Sequence, residues 1–274
     1  MKNAIRAHAL ATVAALAFGL AATASTAQEA ARPQQTDTQV VADLVDANRI
    51  LAALGILDSY GHVSARSPTH PDHFFMARSI APGSVTAGDI LEYDASGEPV
   101  TPTKVRLYAE RYLHAAVYRA RPEVNAVDHD HSPFSIPFSV STVPLRAMTH
   151  DGAFIGQKVP VFEGDPDGSN GAMQVSSLAI GEKMTAVLGR EDVLLIRGHG
   201  EVIVGRSIPE AISRAVNVDK NAKVEAAALA LGGPIKWITP AETAGREALA
   251  ARRPEFRDWD ELKHRFGIKA STQD

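Results

Sequence analysis

Two short apolar runs in this chain end in histidines, and that pairing limits the fold more than any other feature. Val124 to Val127 runs directly into Asp128-His129-Asp130-His131, and Val193 to Ile196 runs into Gly198-His199-Gly200. Apolar runs of this length, bounded by turn residues, read as buried strands. Both histidine groups therefore sit where a strand meets the surface. Val202 to Val204 is expected to pair back onto Val193 to Ile196 through the Gly-His-Gly turn.

The rest of the chain supplies helices and further strands. Val40, Val41, Leu44, Val45 and Leu51 recur at helical spacing, with Gly55 as a stop signal. Gly61 to Arg66 begins strand structure, and Phe74 to Met76 gives another strand. Pro82-Gly83 is a turn, and Ile90 to Tyr93 is a strand entering a hairpin turn at Asp94 to Gly97. Leu107 to Arg119 is helical by pattern and is ended by Pro122. Ser207-x-x-Glu210 has the form of a capping box with Pro209 in the first turn. It opens a helix running to Leu231, where Gly232-Gly233 stops it. The Ala-rich middle of that helix implies close packing on a sheet or on a neighbouring subunit. Glu242 to Phe266 is expected to form a charged helical tail containing Trp259. Strands and helices mixed throughout, with no repeats and no long linker, predict a single α/β domain with helices layered on a sheet.

Composition decides what chemistry such a sheet can carry. The 274 residues include no cysteine, which removes disulfides, iron–sulfur clusters, thiolate zinc sites and cysteine nucleophiles together. Any metal must be held by His, Asp or Glu. A formal net charge of −4 gives no basic excess, so nucleic acid is not an expected partner. On an extended segment, a His-x-His pair aims both imidazoles to one face, which suits a single metal ion. Taken alone, His129-x-His131 is equally a polar loop with solvated histidines. His199, between two glycines, can turn sharply toward another group. Glu110 lies near the start of a helix that returns to the His129 strand, so it can meet the strand end. Three neutral imidazoles and a carboxylate suit a divalent transition metal with an open position for water or substrate.

The first residues are not read as fold. Lys2 and Arg6 precede an Ala/Leu-rich run from Ala9 to Ala22, and Ser25-Thr26-Ala27 offers small residues for cleavage. That is the pattern of a secretory signal over residues 1–27, too short for a spanning helix, with export to a bacterial periplasm and no membrane anchor after cleavage. Residues 28–38, polar and containing Pro33, read as a disordered lead-in. The domain is placed at 39–235 and the helical C-terminal tail at 236–274.

A resemblance then becomes specific. Glu110-Arg-Tyr-Leu-His114, Tyr118, Arg121-Pro122, Ala126-Val127, His129-x-His131 and His199-Gly200, with Gly61-His-Val-Ser64 upstream, resemble the class II aldolase/adducin family in order and spacing. The resemblance implies a three-layer α/β/α domain with a largely antiparallel central sheet, assembled as a homotetramer. It implies a divalent metal, zinc first with manganese or iron as alternatives, on the residues matching His129, His131 and His199. Glu110 matches the family's acid/base residue, which can also approach the metal. His114 matches a family position and is read as support or packing.

Departures from the sugar-phosphate aldolase pattern point to the substrate. Those aldolases carry Gly-Asn-x-Ser in the N-terminal loop and small hydroxyl residues before the catalytic carboxylate. Here the loop is Gly61-His62-Val63-Ser64, and Tyr108-Ala109 precede Glu110. His62 offers an imidazole that can donate to a substrate oxygen or relay a proton. The loop, together with Phe75-Met-Ala-Arg78-Ser79, is similar to branches that decarboxylate hydroxylated aromatic or pyridine carboxylates. Arg78 is the leading carboxylate clamp, ahead of Arg111, Arg146 and Arg197, with Ser64 and Ser79 as further substrate contacts. The expected function is a metal-dependent carbon–carbon lyase of aldolase or decarboxylase type, acting on a small, non-phosphorylated hydroxy-carboxylate or hydroxy-carbonyl substrate, with Glu110 and His62 as catalytic residues. The alternatives are a non-enzymatic adducin-like assembly domain and a three-His iron oxygenase.

Overall fold

The computed structural model describes residues 35–164, 173–252 and 257–268. The expected export signal at 1–27 lies outside this set. Where the lead-in was expected to continue, the chain is already helical: α1 spans Asp37–Leu54. Thr36 caps it, accepting from the Gln39 N–H while the Gln39 side chain accepts from the Thr36 N–H. This reciprocal cap satisfies donors that a helix start leaves open, and it is why the helix begins before its apolar stripe does. Gly55, at φ 73°, ends it in the left-handed region.

Strands β1 (His62–Arg66), β2 (Phe74–Ala77) and β3 (Ile90–Tyr93) form an antiparallel meander. Helix α2 (Arg111–Ala120) follows, then β4 (Ala126–Asp130) and a single helical turn, α3 (Ile136–Ser139). Next come β5 (Val161–Phe162), α4 (Leu178–Leu188), β6 (Val193–Ile196), β7 (Gly200–Gly205) and α5 (Ile208–Leu231). The tail holds α6 (Pro240–Arg252) and α7 (Arg257–Arg265), and residues 253–256 between them lie outside the described set. None of the described helices is long and apolar enough to cross a membrane.

The strands lie in the order β3-β2-β1-β4-β7-β6-β5, and every pairing is antiparallel except β5 with β6. Successive side chains on a strand point to opposite faces, so each strand feeds two cores. Val63, Ala65, Ala126, Val193, Leu195 and Ile203 pack with Leu44, Leu51, Ile212, Val218, Trp259 and Leu262 from α1, α5 and α7. Val127, Leu194, Ile196, Val202 and Val204 pack with Leu113, Val117, Met184 and Leu188 from α2 and α4. The result is the expected α/β/α sandwich on a largely antiparallel sheet. Gly181 lets α4 meet α2 within one helical layer, since a Cβ there would lie 2.7 Å from the Tyr112 carbonyl oxygen.

Two boundaries and one cap differ from the sequence reading. Helix α2 starts at Arg111 rather than Leu107, with Glu110 at the N-cap position. The preceding Tyr108 is drawn to the sheet: its hydroxyl donates to the Ile80 carbonyl and its ring lies 4.4 Å from that of His62. β4 begins at Ala126 and runs through Asp130, so His129 sits within the strand. At α5, Ser207 accepts from the Glu210 N–H as a cap should, but the Glu210 carboxylate accepts from the Arg206 N–H, so the box is not reciprocal.

Candidate metal centre

The parity of β4 builds the site. His129 shares a sheet face with Val127, toward α2, while Asp128 and Asp130 point the opposite way, toward α5. His129 pairs in register with His62 on β1, and β7 brings the Gly198-His199-Gly200 turn alongside on the other flank. Gly200 permits that approach, because a Cβ there would lie 2.1 Å from the Asp130 carbonyl oxygen. Glu110, at the start of α2, caps the cluster from above the sheet. Ligating atoms of Glu110, His129, His131 and His199 all lie within 4.8 Å of one another.

Outer partners aim each imidazole inward. His129 Nδ1 lies 2.8 Å from the Glu201 carbonyl oxygen, His199 Nδ1 2.7 Å from the Met173 carbonyl oxygen, and His131 Nδ1 3.0 Å from Asp58 Oδ1. Carbonyl and carboxylate oxygens accept only, so each Nδ1 carries the hydrogen and each Nε2 presents a lone pair. Those lone pairs converge: His199 Nε2 is 3.1 Å from His131 Nε2 and 3.5 Å from Glu110 Oε1, and His129 Nε2 is 3.4 Å from Glu110 Oε2. His129 Nε2 and Glu110 Oε1 are buried without a hydrogen-bond partner. Four acceptors facing one another around a common point suit a cation of borderline softness at their centre. The residues present therefore fit a divalent transition metal.

The electrostatics agree. Burial alone would raise the Glu110 pKa, but the imidazoles of His129, His62 and His199 outweigh it and hold the carboxyl well below the usual carboxylate range. Burial disfavours the His129 cation, yet the Glu110 carboxylate beside it raises the His129 pKa overall. Burial lowers His131 and His199, with the charge of His129 adding to it. The cluster thus favours positive charge at its centre and resists spreading it onto the outer rings. On the opposite face, burial pushes Asp130 up to about 6 and raises Asp128 and Glu201 as well. The two aspartates of the Asp-His-Asp-His run are not ligands of this cluster.

His62 is fully buried beside the cluster, its Nε2 3.9 Å from Glu110 Oε2. Burial, then the neighbouring His114 and His129, hold its pKa well below the ordinary imidazole value, so the ring is neutral. Its Nδ1 lies 2.9 Å from His114 Nε2. His114 Nδ1 lies 2.6 Å from Ser64 Oγ, which is 2.8 Å from the Tyr118 hydroxyl. Either hydroxyl can donate in the Ser64–Tyr118 pair. A hydrogen carried on His114 Nε2 toward His62 Nδ1 would leave His62 with its own hydrogen on Nε2, facing the cluster.

Other expected site residues fall differently. Ser64, expected to touch substrate, is fully buried and committed to His114 and Tyr118, so it supports His62 instead. Arg78 follows directly on β2, and its guanidinium is engaged, with Nε 2.7 Å from Asp89 Oδ1. Ser79 is half-buried and its N–H donates to the Arg106 carbonyl. Asp58 and the Met173 carbonyl were not foreseen as partners of His131 and His199. Met173 adopts φ 57°, a left-handed conformation unusual outside glycine, and holds its carbonyl on His199 from there.

Comparison with known proteins identifies the family and the fold. Residues 42–226 match the family model described as Class II Aldolase and Adducin N-terminal domain. Decarboxylase tropJ of Talaromyces stipitatus is 32% identical over 229 residues, covering 74% of this chain and 85% of that protein. The 3,4-dihydroxyphthalate decarboxylase of a Terrabacter species is 30% identical over 204 residues, covering 69% and 81%. Among solved structures, an aldolase II superfamily protein from Pseudomonas syringae superposes with a TM-score of 0.70 at 24% identity, covering 85% of this chain and 94% of that one. The chain is a member of the class II aldolase and adducin family.

Proposed function

We propose that this protein is a divalent-metal-dependent carbon–carbon lyase of the decarboxylase type, acting on a small, unphosphorylated, hydroxylated carboxylate. The observation that carries the metal dependence is the convergence of Glu110, His129, His131 and His199 as facing acceptors. The decarboxylase relatives support the reaction type. A cation held by these four residues would supply Lewis-acid stabilisation of the negative charge that carbon–carbon cleavage leaves on an adjacent oxygen.

The chain's own residues do the rest. His62 presents its Nε2 hydrogen to the oxygen or carbon on which charge develops. The Tyr108 ring covers His62 and keeps water from it. Tyr108 gives its hydroxyl to Ile80, so it does not join a set of donors converging on a phosphate. Arg78 pairs with the substrate carboxylate through guanidinium N–H groups other than the Nε–H given to Asp89. The participation of Glu110 as a fourth acceptor favours a four-ligand lyase centre over a three-His oxygenase. A complete ligand set argues against a purely structural role.

We also propose export with cleavage after Ala27, checked by N-terminal sequencing of protein from the native host. A homotetramer is proposed as the assembled form, checked by light scattering. The functional reading is tested with metal-loaded protein on a panel of hydroxylated aromatic carboxylates, including 3,4-dihydroxyphthalate, alongside fuculose 1-phosphate. The expected result is carbon dioxide release from a hydroxylated carboxylate, abolished in Glu110→Gln, with little cleavage of the phosphate ester. Faster cleavage of the phosphorylated ketose than of every carboxylate would overturn it.

A further inference from the structure

At the far end of β1 from His62, the chain turns through residues 67–73 and returns as β2. This loop is closed on itself: the Ser67 N–H donates to the His73 carbonyl at 3.0 Å and the His73 N–H to the His70 carbonyl at 2.8 Å. Ser67 Oγ accepts from the N–H groups of Thr69 and His70 and donates to Asp37 at the start of α1, 2.8 Å away. Two imidazoles are thereby fixed side by side, their ring centres 5.3 Å apart. The neighbouring strand β3 brings Glu92 beneath them. Glu92 Oε1 lies 2.7 Å from His73 Nδ1 and 3.5 Å from His70 Nδ1.

We propose that His70, His73 and Glu92 form a second, peripheral binding site for a divalent transition cation of the zinc type. Ligating atoms of all three lie within 4.8 Å of one another, so small side-chain adjustments bring two nitrogens and one oxygen onto one ion. Imidazole donors select zinc, nickel or copper(II) over calcium and magnesium, which take oxygen ligands. Asp72, whose carboxylate is 4.0 Å from His73 Nε2, adds negative charge beside the site. The site is partly open to solvent, so water completes the coordination and the ion exchanges more readily than one held by the buried His129 cluster. Because β3 is the edge of the sheet, an ion here ties the β1–β2 loop to that edge. This site is independent of the proposed catalytic function.

The test is calorimetric titration of the full mature chain with zinc, beside His199→Ala, which weakens the buried centre, and His70→Ala/His73→Ala, which removes the peripheral one. The expected result is that the wild type takes up a second zinc equivalent, which His199→Ala retains and the double variant loses. Glu92→Gln should weaken that second event alone. Loading the His199→Ala protein with copper(II) should give a nitrogen-coupled spin-resonance signal that loses one component when His70 and His73 are also replaced. A double variant that binds zinc with the stoichiometry and affinity of the wild type would overturn the assignment, as would a wild type that binds no second equivalent.

Discussion

Ser64 shows how a residue can serve the site without reaching it. As donor to His114 Nδ1, its hydroxyl would set the tautomer of His114 and, through it, that of His62. Ser64→Ala removes the donor to His114 Nδ1, and a buried ring nitrogen without a partner is costly enough to favour the other tautomer. His62 would then lose its Nε2 hydrogen. The expected outcome is a fall in kcat of about tenfold or more with KM little changed, and recovery in Ser64→Thr, which keeps the hydroxyl. Nitrogen-15 spectra of the imidazoles report the tautomer directly in metal-free protein. A Ser64→Ala spectrum with His62 still protonated on Nε2 would refute the chain's direction. The ligand histidines were legible in the sequence because they follow apolar strands at a spacing of two. Asp58 was not, since it meets His131 across 73 positions and no local pattern links them. Ser64 was legible as a site residue but not in its role, because the parity of β1 decides that it points at α2.

At the scale of the element, α5 does more than cover the sheet. Asn221 accepts from the N–H groups of Met148 and Thr149 and donates to the Arg146 carbonyl, while Glu225 accepts from the Arg146 N–H. Two side chains of one helix thus pin the segment that follows α3. Glu225 is fully buried, and burial pushes its pKa up to about 7 although Arg146 opposes the rise. Between the ordinary carboxylate pKa and about 7, the folded chain holds a proton that the unfolded chain has lost. The associated stability is fully present below the ordinary value and is lost as pH rises through about 7. Urea unfolding at about pH 5 and about pH 8 should therefore show less loss on raising the pH in Glu225→Gln than in the wild type. An identical pH dependence in the two proteins would contradict this. The helix itself was readable from Ser207 to Leu231, because cap, Pro and Gly-Gly signals mark both ends. The start of α2 was not, because the anchoring of Tyr108 to Ile80 and His62 is tertiary and overrides the local pattern.

Over the whole molecule, the first and last of the described helices close on one another. Lys263 of α7 is almost fully buried, its Nζ 3.0 Å from both Asp43 Oδ1 and Asp46 Oδ2 on α1, and Trp259 and Leu262 seal the contact. Lys263→Ala would leave the buried Asp43 carboxylate uncompensated, with an expected loss of roughly 3–5 kcal/mol in urea unfolding. A loss below about 1 kcal/mol would mean that the tail is held by its apolar contacts alone. The layered fold was legible because strands and helices mix along the chain and the strands are short and apolar. The sheet, α2 and the β6–β7 turn bring Glu110, His129, His131 and His199 together, and the proposal is that these four hold one metal ion. Anomalous X-ray diffraction at the zinc edge, on crystals of zinc-loaded mature protein, checks this. The expected result is a peak within bonding distance of Nε2 of all three histidines and of a Glu110 carboxylate oxygen. Saturated crystals with no peak there, or with an ion that leaves out His199, would contradict it.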